Sequence, residues 1–349
     1  MEIRELTQYI KGFSLDRCER GGRVYERILL QLFGFLGHGK SSFINSCKYV
    51  LEDTDYVNHA GADMSDAGRT RARVSYKLTD CITLVDNRGC AKMDSYETGE
   101  IFAQLANILP LDEPVEWSRG LRLVDRIVES EQNVRSSDFI FPLFLYSIKK
   151  GIHESEAKDL EKLLKTAKKL TGIFPIIVLT YKTWGSLTKI EGIFRNLGAE
   201  KIYALENYTP EDHLRTRGRH EAVLRLLYEV IKQVEFCLEE AQDPIQEMKD
   251  RKQFILRFIY EREVENQQHV QESVRCKEQW KEKKDTSCPQ DQDHTEREED
   301  RRHFEEEMRR LRESFEFQRQ CDAQRHDAEL RGYQRQIELL QRKDNCVIQ

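Results

Sequence analysis

The residues best suited to chemistry lie in one glycine-rich stretch, "GFLGHGKSSFINS", at positions 34 to 46. It fits the pattern G-x-x-x-x-G-K-[ST] through Gly34, Gly39, Lys40 and Ser41. The glycines let backbone N–H groups close around phosphate oxygens, and the N-terminus of the following helix adds a favourable field. Lys40 is expected to reach the β and γ phosphates of a nucleotide, while Ser41 offers its hydroxyl to Mg²⁺. The predicted nucleotide-binding residues of this loop are Gly34, Gly37, His38, Gly39, Lys40, Ser41 and Ser42.

A second motif follows at the end of an apolar run. The segment "CITLVDNRG" reads as a strand that ends in D-x-x-G, with Asp86 and Gly89 at the fixed positions. After a phosphate loop, such an aspartate holds the metal through water, and the glycine N–H senses the γ-phosphate. The polar segment between the motifs is expected to form a switch loop, in which Thr70 is the candidate for a second hydroxyl on Mg²⁺ and Ser65 the competing choice. The predicted metal site consists of Ser41, Thr70 and Asp86.

Hydrolysis of a bound nucleotide is expected to be slow. Many phosphate-loop enzymes orient the attacking water with a glutamine just after D-x-x-G, whereas this chain has Cys90, a poor water-orienting group. Lys40 is expected to supply charge at the phosphates, and further charge must come from His38, from Arg88 or from a second molecule. For His38 the alternative is a role as loop filler.

The elements that must position these motifs alternate along the chain up to about residue 240. Apolar runs bounded by polar or turn residues read as strands: "RILLQLFGF", "ARVSYKL", "CITLVD", "SDFIFPLFLYSI", "FPIIVLTY" and "KIYAL". Stretches with apolar residues at helical spacing lie between them: "KSSFINSCKYVL", "TGEIFAQLANIL", "SEAKDLEKLLKTAKKL" and "LTKIEGIFRNLG". This alternation predicts an α/β fold, a mostly parallel sheet flanked by helices. We place this domain at residues 24–240, after an N-terminal segment of residues 1–23.

The remainder of the chain is more polar. Residues 241–285 and 295–345 are rich in Glu, Lys, Arg and Gln, which are good helix formers, and a polar break at 286–294 separates them. The first segment is predicted to be a helical stalk. In the second, apolar residues recur at heptad-like spacing in two runs that are out of phase by one residue. This favours a coiled coil, and hence a homodimer or a coiled-coil partner; the alternative is a solvated single helix that is partly disordered.

Composition excludes several classes of protein. The 349 residues carry a net charge of −6 and lack the basic excess of a general nucleic-acid binder, so no nucleic-acid partner is expected. No apolar run approaches the roughly 20 residues that cross a bilayer, and the first residues do not resemble a signal peptide. Nine cysteines without metal-like pairs are expected to be free thiols in a reducing cytoplasm.

The sequence finishes on "RKDNCVIQ", and residues 346–349 fit the C-a-a-X pattern for farnesylation at Cys346. A single lipid is a marginal anchor, and a dimer formed through the tail would place two lipids on one particle. We therefore expect a cytoplasmic protein that is peripheral on a cytosolic membrane face.

Four segments carry a resemblance to a known family: "LFGFLGHGKSSFINS", "GRTRARVSYKLTDCITLVDNRG", "IIVLTYKTWG" and "YALENYT". Over residues 24–240 they resemble the G domain of the interferon-induced protein 44 family. The resemblance implies a P-loop GTP-binding module with Mg²⁺, linked to innate immunity or signalling. It also implies that Asn207 lies by the base and that Thr180 and Lys182 belong to the nucleotide site. The plan of G domain, helical stalk and prenylated end is also that of some guanylate-binding proteins, by analogy alone.

One position departs from the usual guanine-reading motif. N-K-x-D or T-K-x-D ends in a carboxylate that accepts hydrogen bonds from the guanine ring, and this chain has Thr183 there. We expect GTP to be preferred over ATP by less than in a fully equipped GTPase, and Thr183→Asp to sharpen the preference. The sequence thus predicts a GTP-binding switch that hydrolyses slowly. The alternative, which Thr183 and Cys90 favour, is a non-hydrolysing nucleotide-bound scaffold that acts through its coiled-coil tail.

Overall fold

The computed structural model describes residues 2–18, 24–61, 72–90, 95–115, 122–130, 133–240 and 243–285. The chain forms two compact units, Met1–Glu272 and Ser273–Gln349. Within the described ranges, no helix is both long and apolar enough to cross a membrane. Several sequence predictions lie outside the described residues and stay predictions: those on Ser65, Thr70, the polar break 286–294, the tail 295–345 and Cys346.

The first unit is built on one sheet, which has seven strands among the described residues. They are β1 (Arg27–Gly34), β2 (Ala72–Lys77), β3 (Ile82–Asp86), β4 (Glu113–Pro114), β5 (Asp138–Ser147), β6 (Ile176–Thr180) and β7 (Ile202–Ala204). Their order across the sheet is β4-β2-β3-β1-β5-β6-β7. The five strands from β3 to β7 in this order run parallel, and β2 is antiparallel to both β3 and β4. The predicted mostly parallel sheet is therefore confirmed.

The centre of the sheet is buried on both faces. All ten residues of β5 are buried, and β1 lies beside it with Leu30 opposite Phe141 and, on its other edge, opposite Leu84. A parallel strand covered by helices on both faces needs apolar side chains in both directions, which is why these strands read as continuous apolar runs. Because β1, β3, β5 and β6 run parallel, their carboxyl ends lie at the same edge of the sheet.

The described part of the chain contains eight α-helices. They are α1 (Ile3–Lys11), α2 (Lys40–Glu52), α3 (Ser95–Leu105), α4 (Arg122–Glu129), α5 (Glu154–Thr171), α6 (Leu187–Asn196), α7 (Arg217–Glu239) and α8 (Pro244–Asp285). One core joins α1, α2 and α7 to side chains such as Leu32 and Leu143. A second core joins α3, α4, α5, α6 and part of α8 to side chains such as Phe33 and Phe144. Since adjacent strand residues point to opposite faces, the two cores cover the two sides of the sheet.

The first compact unit is larger than the predicted domain of residues 24–240. Leu6 and Ile10 of α1 are 1% and 0% exposed, and Ile255 of α8 is 0% exposed. Arg251 is also buried, and its Nε donates to the carbonyl oxygen of Ala106 at 3.1 Å. The first part of the predicted stalk therefore packs on the first unit. Widely spaced apolar residues among charged ones, the pattern of a helix with one buried face, are a weaker signal than the continuous apolar runs of the strands.

A chain of buried polar side chains links β2 to the start of the D-x-x-G segment. Arg73 is 0% exposed, and its Nε donates to Asn87 Oδ1 at 3.0 Å while Nη2 donates to Asn107 Oδ1 at 2.7 Å. Its Nη1 donates to the carbonyl oxygen of Leu109. Burial lowers the pKa of the Arg73 guanidinium to about 9, against the opposing influence of Asp138. The guanidinium of Arg73 thus has its hydrogen-bond partners outside β2.

Candidate functional site

The glycine-rich stretch forms the connection between β1 and α2. β1 ends at Gly34, where an added Cβ would lie 2.4 Å from the carbonyl oxygen of Leu145, so a side chain has no room. α2 begins at Lys40, directly after Gly39, whose φ of 82° lies in the left-handed region that favours glycine. The backbone therefore turns from the strand straight into a helix N-terminus, where the first N–H groups have no partner within the helix.

Lys40 is folded back over this loop and buried. Its side chain is 6% exposed, and Nζ donates to the carbonyl oxygen of Phe35 at 3.1 Å. An added Cβ at Gly89 would lie 2.6 Å from Nζ, so the lysine tip lies against the D-x-x-G segment. Burial lowers the pKa of Lys40, although Asp86 and Cys90 act in the opposite direction. The ammonium group is thus held at the loop in an environment that compensates its charge incompletely.

Ser41 and Asp86 bring the two motifs into contact. Ser41 Oγ donates a hydrogen bond of 2.7 Å to Asp86 Oδ2, and Asp86 is 2% exposed. The other carboxylate oxygen, Oδ1, is buried and has no hydrogen-bond partner among the described residues. Burial raises the pKa of Asp86, and the nearby Lys40 and the Ser41 hydrogen bond oppose this only in part. The Asp86 carboxylate and the Ser41 hydroxyl together provide oxygen ligands of the kind that bind a hard cation.

His38 is part of the support beneath the loop. It is 5% exposed, its ring lies edge-on to Tyr146 at 4.8 Å between centroids, and Nδ1 accepts a hydrogen bond of 3.1 Å from the Ser147 backbone N–H. Burial, followed by Lys40 and Lys150, lowers the pKa of His38 to about 3. The imidazole is therefore neutral, with its proton on Nε2. In this structure the imidazole holds the loop, which is the alternative role predicted for His38, while its contribution to catalysis stays a prediction.

Thr180 and Asn207 hold the other side of the loop. Thr180 Oγ1 donates to the carbonyl oxygen of His38 at 3.0 Å, and Asn207 Nδ2 donates to that of Gly39 at 3.1 Å. Both side chains are buried, at 0% and 7% exposure. Ser46 of α2 in turn accepts from the Tyr208 backbone N–H at 2.8 Å. Two residues that were assigned to the nucleotide site thus contact the loop backbone.

The residues that follow Asp86 are held by neighbouring elements. The Arg88 backbone N–H donates to Gln104 Oε1 at 2.9 Å, and Arg88 Nη1 donates to the carbonyl oxygen of Val115 at 2.6 Å. Cys90 is 0% exposed, and its carbonyl oxygen accepts from the Leu36 N–H at 2.9 Å. In this arrangement the Arg88 guanidinium is bound at Val115, and the Cys90 side chain lies inside the protein.

The turn after β6 makes a contact that the sequence did not lead us to expect. Lys182 is exposed, and its backbone N–H donates to the carbonyl oxygen of Leu205 at 3.3 Å. Next to it, Thr183 donates twice to Glu206 Oε2, from the backbone N–H at 3.1 Å and from Oγ1 at 2.9 Å. The motif that contains Thr183 carries no carboxylate of its own. The signal was present in "YALENYT", where Glu206 directly precedes Asn207, but only the asparagine was singled out.

The placement of the other assigned residues is mixed. Gly37 has a φ of 73° within the loop, and Ser42 lies in the first turn of α2, where its carbonyl oxygen accepts from Ser46 Oγ at 2.7 Å. Thr70, the third residue of the predicted metal site, lies outside the described residues. The structure therefore brings together Ser41 and Asp86 of that site.

Comparisons with known proteins add little to this geometry. No family model matches the chain, and no curated protein matches it. Among solved structures, it matches a crystal structure of a protein from Thermus thermophilus with 16% sequence identity and a TM-score of 0.29. The match covers 50% of this chain and 22% of the other, so the chain spans about a fifth of that protein's length. The resemblance to the interferon-induced protein 44 family stays a prediction from the sequence.

Proposed function

We propose that this protein binds a nucleoside triphosphate, GTP in preference, on the loop between β1 and α2. The observation that carries the proposal is the buried Lys40 ammonium, held 3.1 Å from the Phe35 carbonyl oxygen beside the N-terminus of α2. Backbone N–H groups at a helix N-terminus and a nearby ammonium together favour an anion. A phosphate that meets Lys40 would compensate a charge whose burial is costly, which gives the ligand a specific source of affinity.

The position of the loop in the sheet supports the same proposal. β1 lies between β3 on one side and β5 on the other, so successive connections leave the sheet in opposite directions at this point. Ligands of open parallel sheets bind outside the carboxyl ends of the strands at such switch points. We therefore assign the first unit, as part of the proposal, to the P-loop G domains.

Mg²⁺ is the metal that the donor set fits. Magnesium is usually held by one or two carboxylates together with phosphates and waters, and Ser41, Asp86 and a bound triphosphate would supply such a set. The unpaired Asp86 Oδ1 is the observation that favours a cation at this place. Bound Mg²⁺ would neutralise charge that develops on the phosphates. The contribution of Thr70 belongs to the same proposal.

The proposed turnover is slow, and a non-hydrolysing scaffold is the second candidate. Cys90 occupies the place of a water-orienting group and is fully buried, which favours the second candidate. The intact set of Lys40, Ser41 and Asp86 favours the switch. A coiled-coil partner or homodimer through the tail and a peripheral membrane position through Cys346 rest on the sequence alone.

The test of the proposal is Lys40→Ala, measured by titration calorimetry with GTP and with ATP in the presence of Mg²⁺. Because Lys40 is the cation at the loop, its loss should weaken binding of a triphosphate at least tenfold, or about 1.4 kcal/mol. Lys165→Ala is the matched control, since Lys165 pairs with Glu161 on the surface of α5. Wild-type protein that binds neither nucleotide, or binding that Lys40→Ala leaves unchanged, would refute the proposal.

A further inference from the structure

A carboxylate stands at the turn where the sequence has Thr183 in place of the usual aspartate. Glu206 Oε2 accepts from the Thr183 backbone N–H at 3.1 Å and from Thr183 Oγ1 at 2.9 Å. The two residues are 23 positions apart in the chain and meet because β6 and β7 are neighbours in the sheet. The other oxygen, Oε1, has no hydrogen-bond partner among the described residues. Glu206 is half-buried, so a ligand can reach it.

The backbone that carries Glu206 is fixed on both sides. Arg219 Nε donates to the Glu206 carbonyl oxygen at 3.1 Å, and Arg219 Nη2 donates to the carbonyl oxygen of Asn207. Asn207 Nδ2 donates to the carbonyl oxygen of Gly39 at 3.1 Å. The carboxylate is therefore carried by the residue next to one that contacts the phosphate loop, within the same rigid segment.

The turn that faces Glu206 is also fixed. The backbone N–H of Trp184 donates to the Tyr181 carbonyl oxygen at 2.9 Å. Lys149 Nζ lies over both rings, 4.4 Å from the Tyr181 centroid and 3.9 Å from that of Trp184. An added Cβ at Gly185 would lie 3.2 Å from Ile148 Cγ2, so the end of the turn packs closely on the segment after β5. Glu206 is thus presented between two segments that are held in place before any ligand binds.

We propose that Glu206 reads the nucleotide base and selects guanine. This inference rests on the proposed function, because it concerns the same ligand. Guanine presents two kinds of N–H donor on one edge, its ring N1–H and its amino group, whereas adenine presents an unprotonated N1 at that position. An ionised carboxylate only accepts hydrogen bonds, so it binds the N–H donors of guanine and repels the lone pair of adenine N1. Thr183 then orients Glu206, and the sequence expectation of weak discrimination is replaced by one of clear guanine preference.

The test compares GTP, ATP and xanthosine triphosphate, each titrated with Mg²⁺ into wild-type protein and Glu206→Gln. Wild-type protein should bind GTP at least tenfold more tightly than ATP. Xanthine has a carbonyl oxygen where guanine has its amino group, so the amide of Glu206→Gln can donate to it. The ratio of GTP to xanthosine triphosphate affinity should therefore fall at least tenfold in the variant. Glu211→Gln, an exposed carboxylate on the following segment, is the matched control and should keep the wild-type ratios.

A second variant, Thr183→Asp, tests the same inference if Glu206→Gln fails to fold. It would place a carboxylate where Thr183 Oγ1 now lies, 2.9 Å from Glu206 Oε2, and remove the hydroxyl that donates to it. Guanine preference should then decrease, the reverse of the sequence expectation. A sharper preference in Thr183→Asp would overturn the inference, as would an unchanged ratio in folded Glu206→Gln. Equal wild-type affinities for GTP and ATP would also overturn it, together with the proposed preference for GTP, but would leave triphosphate binding at the loop standing. Wild-type protein that binds no triphosphate would refute the proposed function itself.

Discussion

Ser41 donates a 2.7 Å hydrogen bond to Asp86, and this contact joins the first turn of α2 to the carboxyl end of β3. Asp86 Oδ2 accepts this hydrogen bond, while Oδ1 is buried without a partner among the described residues. A half-satisfied buried carboxylate costs stability in the free protein and is at the same time ready to accept a cation. Stability and ligand binding therefore make opposite demands on the same side chain.

Asp86→Asn is the first prediction. Burial raises the pKa of Asp86 above its ordinary value of 3.8, so the ionised form destabilises the fold; that cost is absent below this value and grows as pH rises through the folded pKa. At neutral pH the nucleotide-free variant should thus be at least as stable as wild type in thermal unfolding. The Mg²⁺-dependent part of triphosphate affinity should fall at least tenfold, or about 1.4 kcal/mol. A destabilised variant with undiminished Mg²⁺ dependence would contradict this view of Asp86.

The second prediction concerns His38. Its pKa is lowered to about 3 in the folded protein from an ordinary value of 6.5, so its contribution to stability is present above pH 6.5 and is lost as pH falls towards the folded pKa. Between pH 7 and pH 5 this loss should amount to about 2 kcal/mol in the free energy of unfolding. His220, whose pKa is also lowered by burial, acts in the same direction.

The His38 effect can be isolated with His38→Asn, whose side-chain oxygen can replace Nδ1 as acceptor for the Ser147 N–H. Denaturant unfolding of both proteins at pH 7 and pH 5 should show the smaller pH effect in the variant. Nucleotide turnover should change by less than about twofold, since His38 acts on the loop rather than on the phosphates. A large loss of turnover with wild-type affinity would instead make His38 catalytic.

Arg73→Met is the third prediction. The side chain is fully buried and donates to Asn87, Asn107 and the Leu109 carbonyl oxygen, so the apolar substitute leaves three buried acceptors without their donors. The free energy of unfolding should fall by roughly 3–5 kcal/mol, the range for breaking a buried charged network. Arg225→Ala, which removes an exposed helical pair with Glu221, should leave it nearly unchanged. Equal effects of the two substitutions would mean that the buried network contributes little.

The fourth prediction concerns turnover. Single-turnover hydrolysis of GTP at low protein concentration should proceed on the order of 10⁻³ s⁻¹ or more slowly, as in phosphate-loop proteins without a completed catalytic set. Cys90→Gln should not accelerate it, because Cys90 is fully buried and a longer side chain there would cost roughly 1–3 kcal/mol through overpacking. Hydrolysis that rises with protein concentration would indicate a group supplied by a second molecule. Fast turnover independent of concentration would contradict the prediction.

The sequence was sufficient where local pattern decides the structure. The apolar runs "RILLQLFGF" and "CITLVD" predicted β1 and β3 to within one residue at each end, and the run "KSSFINSCKYVL" predicted that α2 starts at Lys40. Helical spacing likewise predicted α2, α3, α5 and α6, whereas β4 has two residues and offers too short a pattern. The strands and helices that were predicted all depend on residues within a few positions of one another in the chain.

Contacts between distant segments were beyond the sequence. Glu206 meets Thr183 only because β6 and β7 pair, and no spacing in the chain encodes this meeting. Nothing in the run "ARVSYKL" singled out Arg73, whose buried hydrogen bonds reach Asn107 and Leu109, both of which follow α3. Charged residues buried through tertiary contacts are the ones that periodicity alone assigns to the surface.

The close approach of Gly89 to Lys40 has a consequence for how the sequence can change. A methyl group at position 89 would lie 2.6 Å from Lys40 Nζ and 3.1 Å from both Gly34 O and Leu36 N, so Gly89→Ala must displace the lysine tip or the loop. The two positions should therefore behave epistatically: once Lys40 has been replaced by alanine, Gly89→Ala should lose most of its further effect on affinity. In a library randomised at both sites, functional variants with a residue other than glycine at position 89 should therefore be recovered mainly when position 40 is no longer lysine.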